Sequence, residues 1–224
     1  GLAVGAGVVL SFAIPVVAYA LLRALARGVG PIDAAAVAGH YGSISIVTFV
    51  AGGALLTQQG MAAEGYMVAV AAAMEAPAII TALWLATRFG GGGAKLDAEG
   101  WREILLNGSI VLLLGAFAIG WATGARGMAE VAPLIETPFR GVLCLFLLDM
   151  GLVAGRGLRA ARGIVTPGVL AFGVLMPLVG GALGLATGLA LGLSAGGVAT
   201  LATLAGSASY IAVPAAMRVA LPRA

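Results

Sequence analysis

Ile164–Leu191 reads IVTPGVLAFGVLMPLVGGALGLATGLAL, a run without one charged side chain. No face of a helix built from it offers charge to water, so a helix here is hydrophobic all round and must be buried or span a membrane. The run exceeds the roughly 20 residues that carry a helix across the hydrocarbon core. It lacks the strict polar–apolar alternation that spanning strands of about 10 residues show. Outward from this segment the whole chain has the same character: 61% of residues are hydrophobic, 9% are charged and the mean hydropathy is +1.10. Soluble domains carry about 25% charged residues. In lipid the backbone must satisfy its own hydrogen bonds, which helices do within one segment. The sequence therefore predicts an all-α, polytopic membrane protein.

Seven apolar segments are expected, over about 2–22, 33–56, 61–87, 104–124, 134–155, 164–191 and 195–219. The first lacks a basic leader and a cleavage site, so it reads as a span and not a signal peptide. The 36 glycines suit close helix contacts in lipid, and the single Cys144 has no partner for a disulfide. A net charge of +3 points to no nucleic acid here; the basic residues serve better as topology signals. If the spans alternate, Arg23, Arg27, Arg88, Lys95, Arg102, Arg156, Arg159, Arg162, Arg218 and Arg223 fall on one side, with Arg126 and Arg140 near the other. The positive-inside rule assigns the rich side to the cytoplasm. The Gly-rich, polar stretch GGGAKLDAEG at 91–100 lies in an expected cytoplasmic linker, 88–103.

An internal repeat is suggested by two short motifs. Gly42-Ser43-Ile44-Ser45 lies in the second segment and Gly206-Ser207-Ala208-Ser209 in the seventh. Gly28-Val29-Gly30 precedes the first and Gly192-Leu193-Ser194 the second, each by about fourteen residues. The span count runs these segments in opposite directions. Paired interrupted segments of opposite direction are the sequence pointer to a transporter site between inverted repeats. On this reading the two motifs sit in two repeats, 1–87 and 104–224.

Gly-Ser pairs interrupt a helix, and the freed amides at a half-helix N-terminus suit an anion. Gly42 and Gly206 would give close backbone approach, and Ser43, Ser45, Ser207 and Ser209 would give hydroxyls. A cation is expected near Ser45 and Ser209, helped by freed carbonyls. The alternative is that both motifs only pack helices. Four further residues are ion-coupling candidates. Glu75 lies beside Pro77, where the backbone loses a donor, and a charge at a span centre costs about 2.5–3.5 kcal/mol. Asp149 either serves transport or pairs with Arg156 or Arg159. His40 precedes the first motif and is either structural or pH-responsive; Tyr210 flanks the second. Arg140 attracts anions or pairs with Glu136. One histidine and one cysteine make no His/Cys metal cluster, and no phosphate-binding loop is present, so no enzyme and no cofactor is expected.

HYGSISIVTF (His40–Phe49), EGYMVAVAAAMEAPAII (Glu64–Ile80), FRGVLCLFLLDMGL (Phe139–Leu152) and GSASYIAVPAAMR (Gly206–Arg218) resemble, in order and spacing, the sodium-dependent bicarbonate transporter family, in a branch other than the cyanobacterial one. The resemblance covers essentially the whole chain. It implies ten spanning helices in two inverted five-helix repeats, split into gate and core, assembled as a homotrimer in the bacterial inner membrane. It also implies bicarbonate import with sodium bound between two broken helices, and inhibition by a cytoplasmic PII-like protein. Carried over, the site comprises Gly42, Ser43, Ser45, Gly206, Ser207 and Ser209. Seven spans against ten imply a longer protein, with two helices before residue 1 and one after Ala224. Tyr210 stands near the position where the cyanobacterial proteins carry an acidic residue, which puts sodium and bicarbonate themselves in question. The rivals are a carrier of another, organic anion coupled to sodium or protons, an anion sensor without flux, and a structural subunit.

Overall fold

The computed structural model describes residues 1–90, 102, 108–161, 163 and 165–221. Among them the regular structure is α-helical throughout: α1 (Leu2–Leu25), α2 (Pro31–Gly42), α3 (Ile46–Gln58), α4 (Met67–Ala73), α5 (Glu75–Phe89), α6 (Gly108–Ala160), α7 (Pro167–Ala190), α8 (Ala195–Gly206) and α9 (Ala212–Ala220). Among the described residues five stretches are long and apolar enough to cross a membrane: Leu2–Leu25, Pro31–Gln58, Met67–Phe89, Gly141–Arg159 and Pro167–Ala190. The chain is an α-helical, multi-pass membrane protein.

Each interruption has a local cause. Ser43 and Ser45 hold extended backbone between α2 and α3. Ser207 does the same at the end of α8. The two helices that lead into these breaks have equal length, 12 residues each, and both end on glycine. The third span breaks at Met74, three residues before Pro77, whose ring removes one helical amide. Ser11 of α1 donates to the Met74 carbonyl at 2.6 Å, so this buried carbonyl is not left unpaired.

The helices other than α6 form one packed body, with α7 against α8, α1 against α2, and α2 against α5. Ile14, Leu22, Ile79, Leu85, Met176 and Leu201 are enclosed at its centre. Glycines set the closest approaches. Gly180, Gly184 and Gly188, one turn apart on α7, face α8, and a Cβ on Gly184 would lie 2.5 Å from the Leu201 carbonyl oxygen. In lipid such contacts, and not water exclusion, hold helices together. At one end of the body Arg23 donates to the Val29 carbonyl, and Gly163 and Thr166 line a cavity with Leu25 and Val29. At the other end Gly1–Val4 share a pocket with Tyr66, Leu191 and Leu193. Chain reversals after α1 and before α7 therefore meet at one end, as alternating spans require.

The described residues of the segments expected over 104–124 and 134–155 form two limbs of α6, parted at Gly124, whose φ of 59° and ψ of −151° interrupt the helix. A left-handed φ carries little penalty only for glycine. The residues expected as a loop between them, 125–133, are helical instead. Ala, Arg, Met and Glu are good helix formers, and Arg126 and Glu130 face each other at 3.6 Å across one turn. The limb 125–160 then measures about 54 Å at 1.5 Å per residue, more than one bilayer crossing needs. This helix is exposed along Gly141–Arg159. It meets the body through Phe117 and Trp121 near Gly65 and Val68, and through Phe146 stacked on Tyr210 at 6.0 Å. The expected linker 88–103 lies, beyond its first residues, almost wholly outside the described residues.

Candidate functional site

The two breaks touch each other. The Ser45 amide donates to Ser207 Oγ at 3.0 Å, and that hydroxyl donates to the Leu204 carbonyl at 2.8 Å. The Ser209 amide donates to the His40 carbonyl at 2.7 Å, and His40 Nδ1 lies 2.5 Å from the Ser209 carbonyl oxygen. Ser43 Oγ donates to Glu75 Oε2 at 3.2 Å. Ser45 caps α3: its Oγ accepts from the Thr48 amide at 3.1 Å and from the Thr48 hydroxyl at 2.8 Å. Ser209 Oγ faces the Val213 amide of α9 at 3.5 Å. Ser43, Ser45, Ser207, Ser209 and Glu75 are all buried, Glu75 with 6% of its surface exposed.

The local sequence explains the arrangement. A helix broken inside lipid leaves amides and carbonyls that each cost several kcal/mol if unpaired. Glycine at the last position of α2 lets α1 close over the break: a Cβ on Gly42 would lie 2.5 Å from Pro15 Cδ and 2.8 Å from the Ser11 carbonyl oxygen. Gly206 is pressed the same way, with the Pro177 carbonyl 2.9 Å from where its Cβ would be. Electrostatically the N-termini of α3 and α9 bring positive partial charge to the crossing, and Glu75 supplies one carboxylate. The cluster thus holds donors for an anion beside oxygen atoms for a cation.

The model of the Na+-dependent bicarbonate transporter superfamily matches this chain over residues 1–224. The chain belongs to this superfamily. Among curated proteins none matches it. Membership makes it a transporter-family membrane protein, in agreement with the apolar helices and with the resemblance carried by the four quoted runs.

The polar cluster unites most of the residues singled out in the sequence. Gly42, Ser43, Ser45, Gly206, Ser207, Ser209, His40 and Glu75 meet at one crossing. Tyr210 is adjacent, yet its ring stacks on Phe146. Asp149 lies apart, exposed on α6. Among the described residues the ion pair within 4.0 Å is Arg126–Glu130, so Asp149 has neither Arg156 nor Arg159 in contact. The side chains of Arg140 and Glu136 lie outside the described ones.

Two residues at the crossing were not singled out, nor was a third, Glu64, at the far end of α8. Thr48 supports Ser45, and its place three residues after a serine is a helix-cap spacing. Ser11 is a polar residue in an apolar run, a weak signal. Glu64 carried none that single-sequence reading uses: its Oε1 accepts from the Ser194 amide at 2.8 Å, at the N-terminus of α8. A Cβ on Gly197 would lie 2.8 Å from Glu64 Cδ, and one on Gly196 2.6 Å from the Met61 carbonyl oxygen, so two glycines admit this loop. The Ser194 amide holds the Glu64 carboxyl below the usual carboxylate range.

Proposed function

We propose that this chain moves a small monovalent anion, bicarbonate first, inward together with sodium by alternating access. The observation that carries the reading is the crossing itself: two Gly-Ser-interrupted helices joined through Ser45 and Ser207, with one buried carboxylate beside them. Opposed half-helix ends near the membrane centre are the arrangement on which inverted-repeat carriers bind substrate and coupling ion. Superfamily membership supports the choice of bicarbonate and sodium.

The geometry suggests how the two ions depend on each other. Glu75 engages the Ser43 hydroxyl, a donor an anion needs. Sodium placed near Ser45 and Ser209 and neutralised by Glu75 weakens that hold and releases this donor to the incoming anion. Each ion then raises the affinity for the other, since binding linkage is reciprocal. The loosely attached α6 supports a division in which it belongs to a gate and the packed body, with both breaks, is the moving core. The basic ends of the spans are taken as cytoplasmic.

Radiolabelled bicarbonate uptake into proteoliposomes, with and without an inward sodium gradient, tests this reading. Sodium-dependent uptake that disappears in a Ser43→Ala/Ser207→Ala double variant is expected. Folded protein that takes up no bicarbonate in either condition overturns the substrate assignment and directs the same assay to organic anions. Uptake driven equally by a proton gradient without sodium replaces the coupling ion.

A further inference from the structure

We infer that His40 is a positioning residue: through Nδ1–H it clasps the backbone of Ser209 and so fixes the second break against the first. Its role in transport rests on the reading above; the clasp itself does not. Two contacts define it. The His40 carbonyl accepts from the Ser209 amide at 2.7 Å, and His40 Nδ1 stands 2.5 Å from the Ser209 carbonyl oxygen. Both backbone groups of one residue are therefore held by one residue of the other helix.

The chemistry follows from what each atom is able to do. A carbonyl oxygen only accepts, so Nδ1 must carry the proton. The His40 carbonyl is available because the chain stops being helical: α2 ends at Gly42 and Ser43 is extended, so the amide four residues on, Ile44, lies outside the helix. The break in α2 thus creates the acceptor that Ser209 uses. With its amide and carbonyl both held, Ser209 has its hydroxyl fixed at the start of α9, facing the Val213 amide. No proton needs to move for this function, and among the described residues the imidazole's hydrogen bond is to the backbone of Ser209.

The chain contains one histidine, so its imidazole is observable without ambiguity. In the full chain reconstituted in nanodiscs with 15N-labelled histidine, the neutral ring is expected as the Nδ1–H tautomer. The Nε2–H tautomer overturns the clasp. Substitution gives the second arm. Asparagine places an amide N–H at the δ position and keeps the bond, whereas glutamine places it one bond further out. His40→Asn is expected to retain the parent KM for bicarbonate. His40→Gln and His40→Ala are expected to raise it by about three- to fifteen-fold, the factor a hydrogen bond between membrane helices is worth, with kcat changed less. His40→Asn as impaired as His40→Ala overturns the positioning role. If the parent protein shows no bicarbonate uptake, the transport reading fails by itself, and the tautomer still decides whether the clasp exists.

Discussion

Gly42→Ala is the substitution whose outcome the packing determines most tightly. The added methyl would stand 2.5 Å from Pro15 Cδ and 2.8 Å from the Ser11 carbonyl oxygen. Carbon atoms prefer roughly 3.5–4.0 Å, so α1 and α2 must part by about 1 Å at the break. Neither neighbour yields easily: one is a proline ring fixed within α1, the other is backbone. Overpacking of this kind costs about 1–3 kcal/mol. The displacement also reaches Ser43, the next residue, whose bond to Glu75 Oε2 is already 3.2 Å long; a shift of about 1 Å takes it beyond hydrogen-bonding distance. Unfolding by SDS titration in mixed micelles, followed by tryptophan fluorescence, reads the stability, and anion uptake reads the site. Gly53→Ala is the control, because a Cβ there meets nothing within 4 Å. It is expected to be neutral or slightly stabilising, by up to about 1 kcal/mol from helix propensity. A Gly42→Ala protein that unfolds at the same SDS fraction as the parent, with intact uptake, refutes the close-approach argument.

Two further substitutions separate the roles of the carboxylates. For Glu64 the folded-state pKa is lowered by the Ser194 amide, so its contribution is present above the unfolded value of about 4.3 and lost as pH falls through the lower folded value. Glu64→Gln should flatten this acid limb of an unfolding-versus-pH curve; an unchanged limb removes Glu64 from the linkage. Glu75→Gln should hold or raise stability, since a charge inside a span costs about 2.5–3.5 kcal/mol. The same variant should abolish the sodium dependence of uptake, and sodium-driven uptake that persists sinks the coupling role.

The fold class was legible because lipid imposes a simple rule on composition: a run such as Ile164–Leu191 has no soluble solution. The breaks were legible for a local reason. Gly-Ser pairs and Pro77 disturb a helix wherever they occur, and equal spacing from Gly30 and Ser194 marked two of them as counterparts. What one sequence does not carry is which breaks touch. That Ser45 meets Ser207 and His40 meets Ser209 depends on contacts more than 160 residues apart in the chain. Glu64 was hidden for the same reason, since its partner is a backbone amide, and every non-proline residue has one. The helical stretch 125–133 was hidden differently. Its charges suggested a loop between spans, while Arg126 and Glu130 pair along the helix surface.

A reading in which the Gly-Ser motifs only pack helices accounts for part of this arrangement. It explains Gly42 and Gly206, each pressed against a neighbouring backbone, and it explains the mutual satisfaction of freed groups, Ser45 amide to Ser207 and Ser209 amide to His40. It does not explain Glu75. The Ser43 hydroxyl needs an acceptor, and a serine hydroxyl or a backbone carbonyl serves at far lower cost than a carboxylate in a membrane. Ser11 does for the Met74 carbonyl what such a neutral partner does elsewhere. A carboxylate placed among donors at the meeting point of two broken helices is the group that a coupling cation would join there. The packing reading therefore predicts that removing this charge leaves ion dependence untouched, and the transport reading predicts that it does not. That opposition makes Glu75→Gln the substitution on which the two accounts part.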